Sequence, residues 1–301
     1  KWACTYMWME EGESEGYFAW SCGLDGTRNA NGAAPDGEEF FAMALFFASH
    51  RWGDGEGIYC YSGQARKILR ACIHKGENGR PGYPMWNHEN RQILFVPGSD
   101  FTDPSYHLPH FYELFALWAD EEDRLFFKEA AKVSRKYLAK ACHEKTGMSA
   151  EYAEFDGQPM SRPLPWTTDR HDWFFSDAYR TVANIGLDYE WFGIDEGQYE
   201  APEKLLRFLD ARWDEDPFEI YEVDGTSLHE PALHPVGLQV TTTQGILSVL
   251  GRTKDEESIR IAKKWLEEFF RMPLREGDRR YYDNCLYFFA FLALSGNYRI
   301  W

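Results

Sequence analysis

The chain has 301 residues, of which 17% are aromatic, and a formal net charge of −17. A protein this acidic is repelled by nucleic acid and by anionic membrane surfaces, so we expect neither as a partner. A neutral ligand such as an oligosaccharide meets no such repulsion, and sugar rings stack well on aromatic side chains.

The six cysteines form no CxxC pair and no metal-type spacing, so we predict free, mostly buried thiols. No metal and no cofactor is implied for the chemistry. Free thiols favour a reducing compartment, which indicates the cytoplasm. No apolar run is as long as the roughly 18 residues of a membrane helix. At the start of the chain, Trp2, Tyr6 and Met9 follow a helical spacing with no capping residue before them. We therefore expect further sequence upstream of Lys1.

Two kinds of helix candidate alternate along the chain. The first kind is apolar nearly all round and comprises 38–52, 104–118, 173–192, 238–250 and 281–294. The second kind is amphipathic and charged and comprises 63–75, 121–142, 202–213 and 255–272. A helix that is apolar all round belongs inside, and one with a charged stripe faces water on that side.

The first four inner candidates start 66, 69 and 65 residues apart, which indicates a repeat of helical hairpins. We predict an all-α protein, a closed toroid of inner and outer helices that forms one domain over 1–301. Such toroids commonly close with six inner helices and only five candidates are present, so we expect at least one hairpin upstream of Lys1. Strand signals are few, at 92–96 and 218–223. The long loops 76–103 and 146–171 are expected to be functional.

The most informative segment runs from residue 34 to residue 52 and places acids at the start of an apolar helix. Asp36, Glu38 and Glu39 are stabilised there by the helix dipole, so a purely capping role is one interpretation. The order of residues offers another. It resembles the signature of glycoside hydrolase family 8, carried by Ala34, Asp36, Gly37, Ala42, Ala44, Leu45, Ala48 and Trp52.

Further blocks resemble the subgroup of that family that releases xylose from the reducing end of xylo-oligosaccharides. They lie at 16–22, 103–111, 174–180, 233–237 and 280–284, and so cover nearly the whole chain. The resemblance implies an (α/α)6 barrel and inverting hydrolysis by two carboxyl groups. One group protonates the departing oxygen, and the other activates a water on the opposite face of the sugar.

By position in these blocks, the resemblance implies that Asp177 is the general base, that Tyr106 helps to hold the attacking water, and that Asp36 binds the distorted sugar. A capping aspartate at 177 and a core tyrosine at 106 are the alternatives. Arg180 lies three residues after Asp177 and shares its helix face, so it either pairs with a carboxylate or binds the leaving-group sugar. Trp20 is expected to be an aromatic platform for a sugar, with a buried core tryptophan as the alternative.

The loop Leu233, His234 and Pro235 bears on specificity. The resemblance implies that it closes the cleft beyond one leaving-group subsite and that His234 hydrogen-bonds the anomeric hydroxyl. Tyr281 and Tyr282 open the last inner helix and either line the cleft or only pack. The predicted substrates are xylotriose and longer xylo-oligosaccharides.

The general acid of the family is a glutamate that we expect upstream of Lys1, with Glu15 as a minor alternative. Without that acid the chain would be a non-catalytic oligosaccharide-binding fragment. Endo-acting xylanase, glucanase or chitosanase activity is the nearest enzymatic alternative, and an unrelated helical toroid such as a terpene cyclase is a more distant one. The sequence predicts no oligomeric state.

Overall fold

The computed structural model describes residues 1–167 and 169–301. Within them the fold is predominantly helical, and the all-α prediction is confirmed. The α-helices of this described part are α1 (Trp2–Tyr6), α2 (Pro35–Trp52), α3 (Tyr61–His74), α4 (Pro109–Trp118), α5 (Arg124–Ala141), α6 (Arg180–Trp191), α7 (Ala201–Asp210), α8 (Pro235–Arg252), α9 (Glu256–Arg271) and α10 (Arg280–Leu294).

One small antiparallel sheet accompanies the helices, with strand order β1 (Trp173–Phe174), β2 (Glu219–Glu222) and β3 (Ser227–Pro231). In its register Phe174 faces Tyr221. The strand predicted at 218–223 is therefore confirmed as β2. The strand predicted at 92–96 is wrong, since this segment contains only an isolated bridge between Trp86 and Ile93.

Contacts group the residues into two compact units. The first comprises Lys1–Thr102, Phe111–Val133 and Trp301, and the second comprises Asp103–His110 and Ser134–Ile300. In the first unit α2 packs against α3, and the buried aromatic residues include Phe46, Trp86 and Phe115. In the second unit α8 packs against α6, α7, α9 and α10, so α8 is the most enclosed helix described there.

Two of the predicted inner helices begin later than expected. The helix expected at 104–118 is a short 3-10 turn, Pro104–Tyr106, followed by α4, because the residue before Pro109 is driven away from helical backbone angles. The helix expected at 173–192 begins only at Arg180, since its first residues form β1 and a 3-10 turn.

A buried ion pair fastens α5 to α6 within the second unit. Arg135 and Asp188 are 1% and 0% exposed, and their side chains meet at 2.7 Å. Tyr199 donates to the same carboxylate at 3.1 Å, and Gln198 donates at 3.3 Å. A buried carboxylate is tolerated because its oxygens are paired in this way.

Burial of the inner helices is less complete than predicted. On α10 only Asp283, Leu286, Ala290 and Ala293 are buried, whereas Phe288 is 58% exposed. The cysteines are all free, as predicted, but only Cys72 and Cys142 are buried, so the expectation of mostly buried thiols is wrong. Across residues 1–167 and 169–301, no helix has both the length and the hydropathy to span a bilayer.

Candidate active site

Asp177 lies where the sheet gives way to a helix. β1 ends at Phe174, Phe175 is extended, and Ser176 has a φ of 42°, in the left-handed region that non-glycine residues seldom adopt. The turn Ser176–Tyr179 then leads into α6. Strained backbone of this kind collects at functional sites, where the surrounding structure holds it in place.

The carboxylate of Asp177 is held on both oxygens. Tyr282, from the first turn of α10, donates its hydroxyl to Oδ1 at 2.7 Å, and the Arg180 guanidinium lies 3.2 Å from Oδ2. The side chain of Asp177 remains 28% exposed. It is therefore fixed in direction and still open to water, which is the geometry that a general base needs. Of the two roles predicted for Arg180, pairing with a carboxylate is the one observed.

A second aspartate, Asp103, lies beside this pair and is fully buried. Its Oδ1 accepts the backbone N–H of Ser105 at 2.7 Å, and its Oδ2 is 4.0 Å from Arg180. Burial, reinforced by the negative charge of Asp177, raises the pKa of Asp103 well above its usual value. Arg180 thus faces two carboxyl groups, and the buried one favours its neutral form.

The sequence did not single out Asp103, although it opens the block 103–111. The local signal was an aspartate directly before Pro104, a position that caps a helical turn. Tyr106 ends that turn and is 5% exposed, with the Arg180 guanidinium 5.4 Å from its ring centroid. The structure therefore brings Tyr106, Arg180 and Asp177 together, and the role of Tyr106 toward water stays a prediction.

Behind Asp177 lies a carboxylate–histidine pair. Glu151 accepts the backbone N–H of Asp177 and lies 2.6 Å from Nδ1 of His171, whose ring stacks on Tyr152 at 4.3 Å. Burial, with a contribution from the charge of Asp177, raises the pKa of Glu151 above its usual value despite the hydrogen bond from His171. Sequence reasoning missed this pair because the segment 146–171 carries no motif beyond its length.

His234 is buried at the N-cap position of α8. It is 6% exposed, its Nδ1 lies 3.2 Å from Oδ2 of Asp283, and its ring centroid is 4.5 Å from that of Tyr282. Leu233 is half-buried beside it, and Pro235 is the first residue of α8. One tyrosine, Tyr282, thus touches both the predicted base and the predicted specificity histidine.

The two tyrosines that open α10 differ sharply. Tyr282 is half-buried and hydrogen-bonded to Asp177, whereas Tyr281 is 81% exposed. Of the pair, only Tyr282 belongs to the cluster around Asp177.

The acids of the first unit lie at the start of α2. Asp36 accepts the N–H of Gly37 at 2.9 Å, and the buried Glu38 accepts the N–H of Phe18 at 2.7 Å. Burial raises the pKa of Glu38 to about 8, and the charge of Asp36 adds to this rise. The hydrogen bond from Phe18 lowers the pKa but does not outweigh burial. Trp20 is 63% exposed, so the core-tryptophan alternative is excluded. The sugar-binding roles of Asp36 and Trp20 stay predictions.

A helical fold that holds one carboxylate open to water and buries others around it defines the class of this protein: a helical enzyme built for acid–base chemistry with carboxyl groups. The family model described as Glycosyl hydrolases family 8 matches residues 2–294, and the chain belongs to that family. Its fold class, the (α/α)6 barrel of the family, is thereby confirmed.

Two curated relatives are similar over nearly the whole chain, and a third is similar over part of it. A reducing end xylose-releasing exo-oligoxylanase from Halalkalibacterium halodurans is 54% identical over 301 residues, which are 100% of this chain and 74% of the relative. Its counterpart from Bifidobacterium adolescentis is 51% identical over 299 residues, 99% of this chain and 76% of the relative. Endoglucanase 2 of Ruminiclostridium josui is 29% identical over 188 residues, 60% of this chain and 36% of the relative.

Solved structures give the same result. A crystal structure of a reducing end xylose-releasing exo-oligoxylanase matches with a TM-score of 0.91 and 55% identity, over 100% of this chain and 75% of the other. A structure of the Paenibacillus barcinonensis protein complexed with xylose matches with a TM-score of 0.92 and 52% identity, over 99% of this chain and 76% of the other. The chain thus spans about three-quarters of the length of these relatives.

Proposed function

We propose that this protein hydrolyses xylo-oligosaccharides, releasing xylose from the reducing end with inversion at the anomeric carbon. The observation that carries the proposal is the double contact of Tyr282. Its hydroxyl fixes Asp177, and its ring packs against His234. The residue suited to activate water and the residue suited to recognise a chain end are therefore held by one side chain.

In the proposed reaction Asp177 takes a proton from the attacking water. Tyr282 and Arg180 orient its carboxylate, and its partial exposure admits the water. Tyr106, packed under the Arg180 guanidinium, completes the side of the site where that water would lie. Asp36 is proposed to bind the distorted sugar, where its negative charge favours the oxocarbenium-like transition state.

Inversion requires a general acid on the other face of the sugar, roughly 6.5–9.5 Å from the base. We propose that a glutamate upstream of Lys1 fills this role, as the family resemblance implies. Glu15, the minor alternative, is solvent-exposed.

Leu233, His234 and Pro235 are proposed to end the cleft after one leaving-group sugar. Their packing supports this role, because His234 is buried and Pro235 is the first residue of α8, many of whose residues are buried. A mobile loop at this place would let a long xylan chain continue past the leaving-group sugar. A loop held at the start of α8 would block such a chain, which favours release of one end sugar over endo-acting cleavage.

The experiment is proton NMR of xylotriose with the protein, beside the same trisaccharide reduced with borohydride. We expect the α-anomer of xylobiose to appear first, together with xylose, and the reduced sugar to stay intact. Initial formation of the β-anomer would contradict inversion, and equal cleavage of both sugars would favour an endo-acting enzyme. Binding of xylotriose without any cleavage would favour the non-catalytic alternative.

A further inference from the structure

We infer that Asp283 is a positioning residue that, together with Arg275, holds His234 in the orientation needed to recognise the reducing end. This inference rests on the proposed function and deepens it. Asp283 follows Tyr282 directly on α10, so the two side chains act on neighbouring groups of one site.

Asp283 gathers donors from two separate segments. It has no exposed surface, and its Oδ1 accepts the N–H of Gly237 in the first turn of α8 at 2.5 Å. Its Oδ2 accepts from the Arg275 guanidinium and lies 3.2 Å from Nδ1 of His234. A buried carboxylate is costly unless it is paired in this way, so the arrangement is a built one.

At the start of α8, Asp283 takes the place of the usual N-cap side chain. His234 occupies the N-cap position, yet its side chain makes no capping hydrogen bond. Asp283 satisfies a first-turn N–H in its place, from another helix. The imidazole of His234 therefore makes no capping hydrogen bond, and it contacts Asp283 and Tyr282 instead.

Arg275 is held in place by hydrogen bonds of its own. Its backbone N–H donates to Oδ1 of Asn284 at 2.9 Å, and its backbone oxygen accepts from Nδ2 of the same asparagine at 3.0 Å. Its guanidinium also donates to the backbone oxygen of Leu233 at 3.1 Å. The Asp283–Arg275 pair thus fixes both the backbone before His234 and the ring of His234.

The charge of Asp283 determines which ring nitrogen of His234 donates to it. Burial alone would raise the pKa of Asp283, but hydrogen bonds from His234, Gly237 and Arg275 outweigh it and hold the pKa below its usual value. An ionised carboxylate only accepts, so Nδ1 of His234 carries a proton and donates it to Asp283. The other ring nitrogen, Nε2, is thereby left for the hydroxyl on the anomeric carbon of a reducing sugar, which the open-chain alditol does not present in a ring.

The test measures selectivity rather than activity alone. Selectivity is the ratio of the dissociation constant for borohydride-reduced xylotriose to that for xylotriose, which can be measured without turnover of the reduced sugar. Asp283→Asn keeps an oxygen for Gly237 but loses the charge, and Arg275→Gln removes the partner from the other side. We expect each to lower the selectivity by roughly tenfold or more, because hydrogen bonds to charged groups are among the strong ones.

Asp188→Asn is the matched control, since it also breaks a buried aspartate–arginine pair in the same unit. It is expected to lower Tm and to leave the selectivity within about twofold, as it touches no predicted site residue. In a His234→Ala background the effect of Asp283→Asn on selectivity should vanish, because Asp283 acts through that ring.

Wild-type selectivity in Asp283→Asn and Arg275→Gln, with only Tm lowered, would overturn the inference and leave Asp283 a structural cap. An equal loss in the His234→Ala background would overturn it as well. If the wild-type protein itself showed no selectivity, the proposed exo activity would fail, and with it any role of Asp283 in that activity.

Discussion

Around Asp177 the protein concentrates carboxyl groups that would repel one another if all were charged. Asp103 is buried behind Arg180, and Glu151 binds the backbone N–H of Asp177 while pairing with His171. Burial and the charge of Asp177 raise the pKa of both Asp103 and Glu151. Of these three carboxyl groups, only that of Asp177 is open to water.

Tyr282→Phe tests the contact that fixes the base. It removes the hydroxyl that donates to Asp177, and we expect kcat to fall by about tenfold because the carboxylate loses its orientation. The matched control is Tyr199→Phe, which removes a hydrogen bond of the same kind to the buried Asp188. Steady-state kinetics and Tm are measured for both. Equal kcat values in the two variants would contradict a role for Tyr282 in orienting Asp177.

Glu38 predicts a pH dependence of stability in the first unit. Burial raises the pKa of Glu38 to about 8 in the folded protein from its ordinary value of 4.5, so the folded state binds this proton more tightly than the unfolded chain. The stabilisation is complete below the unfolded pKa and is lost as the pH rises through about 8.

We therefore expect Glu38→Gln to raise Tm relative to wild type by a margin that grows from about pH 5 to about pH 9, since glutamine keeps an acceptor for Phe18 and cannot ionise. The control is Glu257→Gln on α9, an exposed residue whose pKa is lowered by its hydrogen bond with Arg260. The Tm of Glu257→Gln should lie slightly below that of the wild type. A constant Tm difference for Glu38→Gln would show that the group does not titrate in this range.

At the level of elements, the packing of α6 against α8 places the site, because Asp177 precedes one of these helices and His234 precedes the other. The two backbones approach closely at Gly186, where an added Cβ would lie 2.7 Å from the oxygen of Gln244 and 3.0 Å from Cα of Gly245. Only a residue without a side chain permits this approach.

Gly186→Ala should accordingly destabilise the protein by about 1–3 kcal/mol, because α6 and α8 must move apart. Gly37→Ala is the control, since no atom lies within 4 Å of its added Cβ in α2. There the substitution should be neutral or stabilise by up to about 1 kcal/mol. Chemical denaturation measures both, and an unchanged midpoint for Gly186→Ala would mean that the helices separate without cost.

For the molecule as a whole, the net charge of −17 bears on the choice of substrate. A neutral xylo-oligosaccharide gains nothing from this field, whereas a cationic oligosaccharide of glucosamine would be attracted at low salt and released as salt screens the charge. The charge therefore separates two substrate classes that helical glycosidases of this kind could serve.

We expect kcat/KM for xylotriose to change by less than about twofold between roughly 20 and 200 mM salt, because the substrate carries no charge. The same series with a glucosamine trisaccharide serves as the comparison. Cleavage of that cationic sugar, with a rate that falls steeply as salt is added, would contradict the assignment to xylo-oligosaccharides and favour chitosanase activity.

The sequence by itself determined the helices, the family and the candidate residues. An apolar spacing of 3.6 residues specifies a buried helix locally, so α2 and α8 were predicted within three residues at each end. The break before Pro109 follows from a local rule that the helix pattern overlooked, whereas the break at Ser176 depends on the pairing of β1 with β2, which is distant in sequence. The apolar run at 92–96 formed only a bridge because no second strand lies beside it along its length.

Only the tertiary structure decided which polar side chains meet. Tyr282 and Asp177 are 105 residues apart in sequence, and Asp283 and His234 are 49 apart. No local pattern encodes such pairs, because they follow from the packing of α10 and α6 against α8. The pKa of Asp103 and the orientation of His234 depend on burial and on partners from other parts of the chain. A single stretch of sequence therefore names the candidate groups, whereas the protonation and orientation of these groups arise only when the helices come together.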